Sequence, residues 1–185
     1  MKPNPVISLL IILVVVGGGY FYFSRDNSNF GLDQSGSRFA NLGFLKSDTR
    51  EPPTGSREYR TERYNFSLFY PEGMSVNEFD DGGGARTITF EDAEDGLGFQ
   101  VFVVPYAEAQ VSEERFLKDT PSGERVELEE IMVDGATGAA FYSRHLLLGE
   151  TREMWFIHNG FLFEVTAPRL LDMWLANIVQ TWEFL

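Results

Sequence analysis

The chain has no cysteine and only two histidines in 185 residues. The missing thiols exclude disulfides, thiolate metal sites, a cysteine nucleophile and the lipid-modified cysteine of a bacterial lipoprotein. They leave the redox compartment unassigned. With only His145 and His158 available, imidazole chemistry has little to work with, and the two read as a strand residue and a turn residue. No G-x-S-x-G elbow, phosphate-binding loop, H-E-x-x-H helix or dinucleotide fingerprint occurs. Positive charge is scarce where the chain looks folded. Residues 64–185 hold seven Lys/Arg against twenty-two Asp/Glu, a net of −15, while residues 1–63 carry +2. A surface that negative repels phosphate backbones and anionic headgroups. Nucleic acid is therefore not an expected partner, and the domain is expected to stand off a bilayer. Long apolar runs are missing too, with one exception.

The exception is Val6–Phe23, VISLLIILVVVGGGYFYF. Eighteen residues at about 1.5 Å rise make roughly 27 Å of helix, close to the ~30 Å hydrocarbon core of a bilayer. Two readings fit. Lys2, the apolar stretch Val6–Val16 and the small residues Gly17 and Gly19 have the layout of a cleaved secretory signal. The run, however, continues through Tyr20-Phe21-Tyr22-Phe23, as interfacial aromatics at the end of a spanning helix would. Cleavage after Gly19 would leave four aromatics at a mature N-terminus. The expectation is therefore a short tail at 1–5 and an uncleaved signal anchor at 6–23, with secretion after cleavage near Gly19 as the alternative. Lys2 and the terminal amine on one side against Arg25 on the other favour a cytoplasmic N-terminus and an extracytoplasmic domain.

Residues 24–63 are rich in Ser, Asn, Gly, Asp and Arg, with Pro52-Pro53 inside, and show no sustained periodicity. That composition predicts a flexible linker with a root-mean-square reach of roughly 30–35 Å. From Tyr64 the pattern changes to period two, and the folded domain is expected to run from 64 to 185. Phe66, Leu68 and Tyr70 alternate with Asn65, Ser67 and Phe69, and Pro71-Glu72-Gly73 stops the strand. Further strands are predicted at Thr87–Phe90 and Leu97–Val104, the latter apolar on both faces and so expected to be covered on both. Ser112 reads as a helix N-cap, with Glu113 and Glu114 in the first turn and Val111 and Phe116 at the staple positions. Strands resume at Val126–Val133 and Gly138–Leu148. Met154–Ile157 and Phe161–Thr166 flank Asn159-Gly160, a strong hairpin signal. Pro168 is expected to open a closing helix with the apolar stripe Leu170, Leu171, Trp174, Leu175, Ile178 and Trp182. The predicted class is α+β, built on a mainly antiparallel sheet.

YNFSLFYPEGM (Tyr64–Met74) resembles the opening strand, Y-x-F-x-φ-x-YP-x-G-(W/M) with φ apolar, of PsbP-like domains. VDGATGAAFY (Val133–Tyr142) and ANIVQTWEFL (Ala176–Leu185) are similar to that group's Gly-turn-strand and closing helix. The resemblance covers about Tyr64–Leu185 and implies an α/β/α sandwich with helices on both faces of the sheet. The group includes photosystem extrinsic proteins, a Ran-binding nuclear import factor and anchored bacterial domains of unknown role. It is defined by shape rather than by a shared site. No family metal, chloride or partner-binding residue can be matched here, so none is carried over.

Four local features invite chemistry, and each has a plainer reading. Gly82-Gly83-Gly84 has the form of an anion nest, but Asp80 and Asp81 before it repel phosphate, leaving a hairpin connection. Glu91–Asp95 offers hard oxygens for calcium, yet Val103 stands where an EF-hand would need its closing Glu, leaving a solvated acidic turn. Asn65-Phe66-Ser67 spells a glycosylation sequon inside a predicted strand. The abundant acids permit, but do not locate, a pair of catalytic carboxylates. No catalytic, cofactor or metal residue is assigned. The expected function is a non-enzymatic, membrane-anchored extracytoplasmic binding or assembly module that contacts another protein of the envelope or of a membrane complex. A hydrolase with paired carboxylates and a calcium-dependent structural domain are the alternatives.

Overall fold

A computed structural model describes residues 51–146 and 148–185. The apolar run at 6–23 and most of the expected linker lie outside the described residues. Among the described residues no helix is long and apolar enough to cross a membrane.

Ten strands among the described residues pair antiparallel in two sheets. The smaller sheet contains β1 (Ser56–Thr61), β2 (Phe66–Pro71) and β10 (Glu183–Phe184), with β2 in the middle. The larger has seven strands. β3 (Ser75–Gly82), β4 (Ala85–Asp92) and β5 (Leu97–Pro105) form one meander; β6 (Val126–Val133), β7 (Ala136–His145), β8 (Gly149–His158) and β9 (Phe161–Pro168) form a second. Pairing of β5 with β9, Val101 opposite Val165, joins the two meanders and leaves β3 and β6 as the edges. Asn159 and Gly160 both adopt positive φ (46° and 79°), the two-residue turn whose twist suits a hairpin.

Alternation along the strands sorts the side chains into two cores. Phe99, Val101, Met154, Phe156, Phe163 and Val165 join Phe66, Leu68 and Tyr70 of β2, together with Leu175 and Ile178 of α2 (Asp172–Val179). Trp182 seals this cluster by stacking on Phe66 at 4.1 Å between ring centroids. The intervening positions Trp155 and Leu162, with Phe141, meet Phe116 of α1 (Glu113–Asp119) in a second, smaller cluster. Ser112 caps α1 by accepting the Arg115 N–H at 3.2 Å, and Val111 packs into the same cluster as Phe116. Ser112→Ala is expected to remove about 1 kcal/mol of stability, read as a lower urea midpoint with an unchanged slope. An unmoved midpoint would mean that the cap is not needed.

Three expectations require correction. Ser56–Thr61, within the segment assigned to a linker, is strand β1. Its sequence SREYRT has one apolar residue, so its order comes from pairing along β2 and from Tyr59, which packs edge-on to Phe90 at 5.4 Å. The closing helix is shorter than expected. β9 runs through Pro168, a 3-10 turn occupies Arg169–Leu171, α2 ends at Val179, and Glu183–Phe184 returns as β10. Leu170, placed on the buried stripe by helical spacing, is 97% exposed, because α2 begins only after it. Asn65 precedes β2 instead of lying within it. It adopts a left-handed φ of 59°, and its side-chain amide donates to the Leu185 carbonyl.

Candidate docking surface

The paired carboxylates that the sequence permits do exist, but they are sealed. β8 and β9 place Glu153 and Glu164 on the same sheet face as Trp155, beneath α1. Glu153 accepts hydrogen bonds from Thr151 Oγ1 and Thr166 Oγ1, both 2.7 Å, and from Trp155 Nε1 at 3.3 Å. Glu164 faces Arg115 Nη2 at 3.4 Å, and Arg115 also pairs with Asp119 one helical turn on. Burial raises the pKa of all three acids. For Glu164 the neighbouring Asp119 raises it further, and Arg115 opposes the shift. Glu153 and Glu164 are 6% and 5% exposed. General acid–base work needs a substrate within hydrogen-bond reach. Under α1, Glu164 instead joins the helix to the sheet through Arg115, and Glu153 ties β8 to β9 through Thr166. One signal for them was present in the sequence: Glu164 interrupts the otherwise apolar run Phe161–Val165.

The other features singled out serve local structure. His145, at the end of β7, accepts the Leu148 N–H on Nδ1 at 3.2 Å, and burial lowers its pKa. His158 stacks on Phe184 at 3.7 Å. Gly82–Gly84 turns the β3–β4 hairpin with three positive φ values, while Asp80 accepts the Gly82 N–H and Asp81 accepts the Thr87 hydroxyl proton. In the acidic turn Glu91–Gly96, Asp92 Oδ1 accepts the N–H groups of Glu94 and Asp95. Among the described residues no three His, Cys, Asp or Glu side chains converge as a metal site would require. A cleft of about 190 Å³ between β2 and α2, lined by Pro53, Phe69, Tyr70, Trp174 and Ile178, is smaller than the ~300–1,000 Å³ typical of small-molecule sites.

What remains is a surface on edge strand β6. Its sequence VELEEIMV alternates: Ile131 packs against the core and Val133 is buried, whereas Leu128 (42%), Glu130 and Met132 (65%) face solvent. The opposite edge, β3, contributes none of the exposed large apolar residues. Beside β6 lies a charged cluster that explains where its other acids go. Arg152, almost wholly buried, pairs with Glu129 and with Asp172 Oδ1 at 3.1 Å. Arg169 reaches Glu127 at 3.5 Å and Glu150 at 3.3 Å. Both guanidiniums lie over the Tyr142 ring, at 4.8 and 4.1 Å, and the Tyr142 hydroxyl donates to Asp172 Oδ2 at 2.7 Å. Glu127 and Glu129 are thus engaged by cations. Glu130, between Leu128 and Met132 on the solvent face, has no such partner among the described ion pairs.

These strands and clusters define a mainly antiparallel, PsbP-like fold. Among solved structures, the chain is similar to cyanobacterial PsbP (CyanoP) from Synechocystis sp. PCC 6803. The TM-score is 0.55 with 14% sequence identity, over 79% of this chain and 100% of that one. A likeness at that identity shows fold alone. No family model matches the chain, and no curated protein matches it.

Proposed function

We propose that the chain is a non-enzymatic, membrane-anchored extracytoplasmic module of the PsbP-like group that binds another protein of the envelope or of a membrane complex. Exposure of Leu128 and Met132 on an acid-bearing strand that, among the described residues, has a neighbour on one side only carries this reading. Apolar side chains presented on a free edge are a liability in isolation and useful in a docking surface. Support for the anchor comes from the apolar length and aromatic end of Val6–Phe23, with the N-terminus cytoplasmic. The two core clusters, Phe116 on one sheet face and Leu175 and Ile178 on the other, support the three-layer α/β/α description.

The test is co-purification of the full chain from detergent-solubilised membranes, with its intact mass recorded. The double variant Leu128→Asn, Met132→Asn is expected to recover about tenfold less of a specific partner than the wild type. Equal recovery by both would remove β6 from the interface. A mass lacking residues 1–19 would replace the anchored form by the secreted one.

A further inference from the structure

Edge strands carry unpaired N–H and C=O groups that template further pairing, and proteins commonly blunt them with lysine, proline or bulges. β6 has neither lysine nor proline. Its register shift falls between Val126 and Glu129, where Glu127 takes a positive φ of 55°, so the bulge protects only the first half. From Glu129 to Val133 the pairing with β7 is regular, and among the described residues no strand pairs with the other side. This half is regular enough in register to accept another strand, and it is the half that displays Met132.

The charge pattern selects the occupant. Two copies of β6 paired edge to edge would bring from each strand a Glu130 without a cation partner among the described ion pairs onto one ribbon that has no lysine or arginine, and like charges close together disfavour that pairing. We propose that Glu129–Val133 is a β-augmentation site for an extended segment of a partner protein in which a basic residue lies between two apolar ones at alternate positions. An antiparallel strand added there would place an apolar side chain beside Met132 and a lysine or arginine beside Glu130, with a second apolar side chain reaching toward Leu128 at the margin of the bulge. The backbone ladder supplies affinity, and these three positions supply selectivity. The inference rests on the reading of β6 as the docking surface and specifies the partner's chemistry.

The probe is a synthetic peptide with Leu-Thr-Lys-Thr-Val at its centre, added to the full chain in detergent. Its companions are a Lys→Glu peptide and two peptides N-methylated at alternate residues, one series on each edge. Expected results are slowed amide exchange at the alternate residues of 129–133 whose N–H groups face away from β7, loss of binding for only one N-methylated series, and weak binding of the Lys→Glu peptide. Glu130→Lys should weaken the basic peptide about tenfold. Equal binding to Glu130→Lys, or loss with both or neither N-methyl series, overturns augmentation. Protection of those outward-facing amides without peptide overturns it as well. Their release on deleting residues 24–50 would assign the edge to this chain's own segment, and their release on dilution to a second copy. If no peptide binds while partner recovery from membranes still depends on Leu128 and Met132, this inference falls and the docking surface stands.

Discussion

Replacing Arg115 with methionine is expected to cost about 3–5 kcal/mol near pH 8, the range for removing one partner from a buried charge cluster. Arg115 is the cation between Asp119 and Glu164, which share the space beneath α1. Without it, two carboxylates sit side by side in a low-dielectric site with no cation paired to them among the described residues, and only Lys118 nearby favours the charged form of Asp119. The cost should shrink sharply with acid. Burial raises the pKa of both acids above their unfolded values, Glu164 well above, so the folded state binds more protons than the unfolded state. Stability from these groups is therefore fully present only below their unfolded values, about pH 3.9 for Asp119 and about pH 4.3 for Glu164, and is lost as pH rises through the raised folded values. Arg115 opposes the shift, so its removal extends that loss to higher pH. Urea denaturation of variant and wild type at pH 4.5 and pH 8 reads the difference directly. A gap equal at both values would mean that Arg115 acts through packing, for example over the Phe102 ring at 5.7 Å. Adding Glu164→Gln to the variant should recover part of the loss at pH 8 and little at pH 4.5.

Gly138→Ala should be almost as damaging, for a steric reason. Gly138 in β7 lies opposite Phe156 in β8, and both strands carry core residues. A methyl group on Gly138 would overlap the Trp155 carbonyl oxygen and come within 2.7 Å of Phe156 Cβ. The obstacle is mostly the neighbouring strand's backbone, which cannot rotate away as a side-chain tip can. Overpacking of this kind costs about 3 kcal/mol, or roughly 10 °C in Tm for a domain of this size. A melt within about 2 °C of wild type would show that the two strands separate without penalty.

Legibility followed the range of the forces involved. The Ser112 cap, the Asn159-Gly160 turn and the strand ending at Pro71 are local signals, readable within a few residues, and the structure contains all three, although β2 begins only at Phe66 and is buried on both faces. β1 and β10 are different. Ser56–Thr61 and Glu183–Phe184 have too little apolar alternation to announce a strand, and each is ordered by β2 beside it. β8 begins at Gly149, before its apolar run, because Thr151, Arg152 and Glu153 are buried through side-chain partners on β9, β6 and α2. Trp182 has the spacing of a helical stripe, but it reaches the core from a turn after α2.

The same division applies to the candidate surface. VELEEIMV announces a strand by itself, and its three glutamates and the net −15 of residues 64–185 favour a basic partner. Nothing within the strand says that it lies at an edge. That depends on β9 returning beside β5 and directing the second meander outward, so that β6 is last in the row. Sequence alone determined where turns, caps and most strands fall, because those depend on backbone sterics and local side-chain spacing. Tertiary structure decided which acid is buried as a partner of α1, where the last helix stops and which strands lie at the sheet edges among the described residues. Those outcomes depend on contacts between residues far apart in the chain.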